Sequence, residues 1–131
     1  MRLQILEELI SVTEAAGIPI WFYGGYGIDA LERRLTRPHR DVDIFVRKED
    51  FERLKAVLSA SGFKIEREQP EQPAFSKMGV WISCLTYETL ADGALVTDTG
   101  ETGVFPWPDD SFPDEPNGVL AGKRVRAISW R

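Results

Sequence analysis

Between Leu3 and Ala16 the apolar residues fall at positions 3, 5, 6, 9, 10 and 12. That spacing marks one face of an amphipathic helix, and Gly17 is its stop signal. Ile18–Tyr23 then predicts a short buried strand, with Pro19 near its start where a missing N–H is tolerated. Gly24-Gly25 follows at once as a turn, and Tyr26–Arg34 predicts a second helix. Asp41–Val46 alternates polar and apolar before turning wholly apolar, as a strand entering a core does. Lys48–Ala60 is helical again, with Phe51, Leu54, Val57 and Leu58 on one side and Gly62 as its stop.

After Gly62 the texture changes. Phe63–Glu68, Phe75–Met78, Val80–Thr86 and Ala94–Asp98 predict short strands separated by turn residues, with Asp92-Gly93 as a hairpin-type dipeptide. Asp109–Gly118, rich in Pro, Asp and Gly, predicts a loop, and Lys123–Ser129 a last strand. There is no repeat and no low-complexity tract. The pattern predicts one α+β domain over residues 1–131, α/β in its first half and mostly β in its second.

Composition narrows the function. A chain of 131 residues builds one core and is too short for two. Its 16 basic and 21 acidic residues give a net charge of −5, which argues against a broad nucleic-acid surface, because phosphate neutralisation dominates that affinity. A small anionic ligand needs only a local cluster of positive groups. Cys84 stands alone, so neither an internal disulfide nor a cysteine metal cluster is expected, in keeping with a reducing cytoplasm. Glu7 and Glu8 interrupt the N-terminal apolar run that a signal peptide needs. No stretch approaches the roughly 20 apolar residues of a membrane span. The expectation is a cytoplasmic protein without nucleic-acid or membrane partners.

Three features converge on one chemistry. A Gly-Gly turn between strand and helix lets backbone approach an anion, and the helix offers free N–H groups to it. Asp41 and Asp43 stand at i and i+2 on a strand, so both carboxylates share a face. Two such oxygen ligands suit Mg²⁺, which takes carboxylates together with substrate phosphates. Arg33, Arg34, Arg37, His39 and Arg40 lie between these elements, where they can neutralise or orient a triphosphate. Each feature has an ordinary reading: a tight turn, a solvated strand edge, an exposed helix end, a capping histidine. Their crowding into the 20 residues from Gly24 to Asp43 favours the joint reading.

The stretch Tyr23-Gly-Gly-Tyr-Gly-Ile-Asp-Ala-Leu31, followed by Leu35-Thr-Arg-Pro-His-Arg-Asp-Val-Asp-Ile44, resembles the signature of the aminoglycoside and lincosamide nucleotidyltransferases. These belong to the DNA polymerase β-like superfamily. Weaker similarity continues through Asp92-Gly93, Phe105–Phe112 and Gly118–Ser129. The resemblance implies a nucleotidyltransferase fold with a mixed central sheet flanked by helices. It implies transfer of a nucleoside monophosphate, commonly from ATP, to a hydroxyl of a small acceptor such as an antibiotic. Gly24 and Gly25 would then cradle the triphosphate, and Asp41 and Asp43 would hold Mg²⁺ or Mn²⁺ as the catalytic pair. Asp29, Arg37, His39 and Arg40 would serve the nucleotide, with Asp29 and His39 positioning the loop or the phosphates.

Two departures stand out. The family usually carries a third carboxylate on the next central strand, as metal ligand or general base; here Ser83 takes that place. Glu88, five residues on and of opposite strand parity, is the other candidate and needs a bulge to point inward. Asp92 is explained by its turn. Relatives also continue beyond the position of Arg131 into a helical segment that helps form the acceptor pocket or a dimer, so the 131 residues read as a minimal core. Two alternatives follow: a nucleotide-binding module impaired by the missing acid, or a protein-modifying or toxin–antitoxin nucleotidyltransferase. Trp21 reads as core; Trp107 sits in Phe105-Pro-Trp-Pro108, which predicts a rigid aromatic loop covering the sheet, with stacking on a base or acceptor ring as the alternative. The acidic loop Asp109–Glu115 reads as solvated, with steering of a cationic acceptor as the alternative.

Overall fold

The computed structural model describes residues 2–129 except 38, 69–71 and 101–102. Trp130, the fourth tryptophan, lies outside the described residues. Helix α1 (Arg2–Ala15) leads into strand β1 (Ile20–Tyr23), helix α2 (Gly24–Glu32) and strand β2 (Asp41–Arg47). A single 3-10 turn (Lys48–Asp50) precedes α3 (Phe51–Ala60). The remainder is β3 (Lys64–Arg67), β4 (Ala74–Lys77), β5 (Val80–Thr89), β6 (Leu95–Asp98), β7 (Val104–Trp107), β8 (Gly118–Leu120) and β9 (Lys123–Ala127).

The central path of the sheet runs β3-β4-β5-β2-β1-β9-β8, with β6 and β7 continuing from the far end of β5. It is mixed: β2 pairs with β5 and β1 with β9 in parallel, whereas β1 and β2 are antiparallel. Side chains alternate across a strand, so the sheet separates two cores. On one face Phe22, Val42, Ile44, Val46, Phe75 and Ile82 meet Leu6, Leu9, Ala30, Leu54 and Leu58 from all three helices. On the other face Trp21, Phe45, Tyr87, Phe112 and Ile128 form an aromatic cluster, with Trp107 packed against it. Tyr87 and Phe112 stack with centroids 3.8 Å apart. The Trp21 indole, fully buried, donates to the Pro113 carbonyl at 2.8 Å.

Three expectations need correction. The Gly24-Gly25 pair is the first turn of α2 and not a loop before it. Phe105-Pro-Trp is strand and not loop: among the described residues β7 pairs with β6 alone, so the missing N–H of Pro106 falls on an edge strand that tolerates it. The loop after Asp109 ends one residue early, because Gly118 opens β8. A Cβ at Gly118 would lie 2.6 Å from the Ala30 carbonyl, so glycine is required where β8 crosses α2. Asp92 holds the β5–β6 hairpin by accepting from Ala94 N–H at 3.0 Å.

Candidate active site

Strand β2 lies between β1 and β5, and its alternation sends Val42, Ile44 and Val46 to the helical core. Asp41 and Asp43 therefore emerge together on the opposite face. Pairing aligns Asp43 with Tyr23 on one side and Ser83 on the other, and Asp41 with Trp81. Asp41 is exposed and Asp43 half-buried. Neither carboxylate has an ion pair or hydrogen bond to another described side chain. Burial first, and then the charge of Asp41, push the Asp43 carboxyl above its ordinary pKa, with His39 opposing them. Burial, with Asp43 adding to it, raises the phenol of Tyr23 as well.

The start of α2 is built against these acids. Gly24 enters the helix at φ 65°, a left-handed value that L side chains resist. A Cβ there would sit 2.5 Å from Oδ2 of Asp43. A Cβ on Gly25 would fall 2.3 Å from Nδ1 of His39. The two glycines thus make room for the side chains of Asp43 and His39, a reason that their place in the sequence does not reveal. Tyr23 caps the helix in extended conformation without a side-chain hydrogen bond. The first-turn N–H groups consequently receive no side-chain cap from it.

Asp29 and His39 meet in a buried pair, Nε2 to Oδ2 at 2.7 Å. Thr36 completes the set, donating its hydroxyl to Oδ1 at 2.8 Å and its N–H to Oδ2 at 3.2 Å. Burial works against the Asp29 charge, but the bonds from His39 and Thr36 prevail and lower its pKa. The His39 ring packs edge-on against Tyr26, whose hydroxyl accepts the His39 N–H at 3.4 Å. This network fastens the α2–β2 loop onto α2. Arg37 and Arg40 are exposed on that loop. Arg34 pairs with Glu32 at 4.0 Å, as expected of an exposed helix end, and Arg33 is the left-handed C-cap.

Beside Asp43 a cleft of about 190 Å³ is lined by Tyr23, Arg67, Gln72, Pro73 and Ser83, among others. Ser83 stands in register with Asp43, at the position facing the pair. Glu88 does not come to this site. It turns to the helical face at the far end of β5 and pairs with Lys48 at 3.2 Å. No bulge intervenes in the β2–β5 register to bring it inward. Among the described residues no group of three or more His, Cys, Asp and Glu side chains forms a metal site. The unpaired, mutually repelling carboxylates of Asp41 and Asp43 fit a hard divalent cation that takes its remaining ligands from substrate and water.

Several residues here escape sequence reasoning. Thr36 and Tyr26 hold Asp29 and His39, yet read singly as a loop threonine and a helix aromatic. Tyr23 could be found, because strand parity and the antiparallel β1–β2 register place it next to Asp43. Arg67 reaches the cleft from β3 after a break in register between Ile65 and Arg67, which no local pattern announces.

A mixed sheet with helices on one face, and a strand–Gly-Gly–helix unit beside a carboxylate pair on the other, is the architecture of the nucleotidyltransferase fold. Residues 5–131 match the profile of the aminoglycoside-2''-adenylyltransferases, and the chain belongs to that family. The 2''-aminoglycoside nucleotidyltransferase of Escherichia coli is 26% identical over 129 residues, which cover 98% of this chain and 68% of that protein. Klebsiella pneumoniae has a counterpart of the same identity and coverage. The crystal structure of ANT(2'')-Ia in complex with adenylyl-2''-tobramycin superposes with a TM-score of 0.81 at 26% identity, over 98% of this chain and 70% of that one. A lincomycin-bound lincosamide adenylyltransferase shares the fold, with a TM-score of 0.78 at 22% identity over 95% of this chain and 78% of that one. Among the described residues no helix is long and apolar enough to cross a membrane.

Proposed function

We propose that the protein transfers AMP from ATP to a hydroxyl of a small antibiotic-like acceptor, with a divalent cation, Mg²⁺ or Mn²⁺, held by Asp41 and Asp43. The observation that carries this reading is the unpaired carboxylate pair set against the uncapped start of α2. Family membership supports it. When bound, the cation would neutralise charge on the phosphates and polarise the α-phosphoryl group.

The chain's own groups have distinct tasks. First-turn N–H groups of α2, beginning at Gly24 and Gly25, receive phosphate oxygens, aided by the positive end of the helix dipole. Arg37 and Arg40 lie on the loop that the Asp29–His39–Thr36 network anchors, within reach of the outer phosphates as point or bidentate contacts. Asp29 and His39 are positioning residues in this scheme. The acceptor oxygen bonds to the α-phosphorus as the bond to the β-phosphate oxygen breaks, and pyrophosphate leaves with the electron pair in line. The hydroxyl proton passes to water in the cleft, because neutral Ser83 has no described partner to make it a base. A slow chemical step follows from that absence.

Calorimetry with Mg²⁺ and a non-hydrolysable ATP analogue tests the site. Saturable binding by the wild type and its loss in the Asp41→Ala/Asp43→Ala variant are expected; equal binding by both would sink the assignment. Incubation with α-labelled ATP and tobramycin or lincomycin, followed by chromatography, then reads out labelled acceptor and pyrophosphate.

A further inference from the structure

An in-line displacement fixes the side from which the acceptor comes. With the phosphates at the start of α2, pyrophosphate departs toward that helix, and the attacking oxygen approaches from the opposite side. That is the β5 side, where Ser83 stands in register with Asp43 and the cleft of about 190 Å³ opens. Tyr23 enters that cleft from the other direction. It ends β1 in register with Asp43, yet lines the cleft together with Ser83 and Leu85 of β5. Strand β2 lies between β1 and β5, so the Tyr23 side chain passes over it. Its ring packs tilted on Phe45, with centroids 4.8 Å apart, at the border of the aromatic cluster. The residue is half-buried, and its hydroxyl has no hydrogen-bond partner among the described residues.

Resting on the nucleotidyl-transfer reading above, we infer that Tyr23 is a substrate-contacting residue whose hydroxyl donates to the acceptor oxygen and aims it at the α-phosphorus. A phenol keeps its proton at neutral pH and offers one donor. A hydroxyl oxygen carries two lone pairs, so one accepts from Tyr23 while the other attacks phosphorus. The acceptor's own proton leaves to water in the cleft, and the Tyr23 proton stays where it is. Orientation is therefore the contribution, and not proton removal. The ring suits this task because its packing on Phe45 fixes where the hydroxyl lies. Tyr23 is also the N-cap residue of α2, in extended conformation and without a side-chain hydrogen bond to the helix. The phenol that holds the acceptor and the first-turn N–H groups that receive phosphate thus adjoin along the chain. Bringing the two substrates together at one point on β1 is what an in-line transfer requires.

The test is tobramycin binding to protein loaded with Mg²⁺ and a non-hydrolysable ATP analogue, compared with tobramycin that lacks its 2''-hydroxyl. Wild type is expected to bind tobramycin about tenfold more tightly than the deoxy compound, the scale of one hydrogen bond. Tyr23→Phe keeps the ring on Phe45 and removes only the oxygen, so it should bind the two compounds within twofold of each other. A tyrosine with a structural role alone would weaken both compounds alike, or neither. Analogue affinity of the variant should stay within twofold of wild type, which shows that it folds and that its nucleotide site is intact. A Tyr23→Phe variant that discriminates as wild type does, a wild type that does not discriminate, or no tobramycin binding by the nucleotide-loaded protein would overturn the inference alone. Failure of the analogue to bind wild type would overturn the nucleotidyl-transfer reading beneath it.

Discussion

Single residues at the site are set against stability. The raised Asp43 carboxyl means that its ionised form is disfavoured in the folded chain, by burial and then by Asp41. At neutral pH that penalty is present, and it disappears only as pH falls through the folded pKa. Asp43→Asn should therefore raise the melting temperature of metal-free protein while weakening Mg²⁺–nucleotide binding about tenfold or more. Parallel thermal melts and calorimetry check both signs. Asp29 runs the other way. Its folded pKa is lowered by His39 and Thr36, so its stabilisation is complete above the ordinary value of 3.8 and is lost as pH falls through the folded one. Asp29→Asn should cost about 1–3 kcal/mol at pH 7 and flatten the acid limb of the stability curve below that value. Gly25→Ala should cost about 1–3 kcal/mol by overpacking, since its Cβ would lie 2.3 Å from the His39 ring. Denaturant titration reads these costs, and Gly25→Ala should also displace the Asp29–His39 pair.

At the level of elements, what the sequence shows depends on how local the cause is. Helix α3 and strand β2 are legible because Leu54 and Leu58, and Val42, Ile44 and Val46, repeat with the period of their own element. The Asp41–Asp43 pair was legible for the same reason, since strand parity alone puts both on one face. Strand β7 was not: Pro106 and the flanking proline at 108 signal a loop, and only pairing with β6 makes the segment a strand. What holds β7 and the following loop down is the aromatic cluster, contributed by segments from Trp21 to Ile128. Phe112 is its centre, in ring contact with Trp21, Phe45, Tyr87 and Trp107. Phe112→Ala should cost about 3–5 kcal/mol. Near-ultraviolet circular dichroism should change while the helical signal persists, because the helices pack on the other face of the sheet.

Across the whole molecule, the sheet divides its two faces: the helical face carries the main core, and the open face carries the carboxylate pair at one end and aromatic packing at the other. The acid pair sits where β1, β2 and β5 run side by side, so a change on β5 reaches Asp43 directly through the register with Ser83. Glu88, the alternative acid in the sequence, is committed to Lys48 on the reverse face. Ser83→Asp therefore tests the arrangement as a unit. A third carboxylate beside Asp43 adds like charge to a site already burdened by it, so metal-free protein should melt lower than wild type. Mg²⁺ should return more of that loss in the variant than it gives the wild type, by linkage. In labelled-ATP assays, a base facing the acceptor side should raise kcat by about 10²–10⁴. A lower melting temperature with no gain in kcat would mean that the proton leaves by another route. A gain in kcat would mean that one side chain at position 83 sets the speed of a nucleotide site that is otherwise complete.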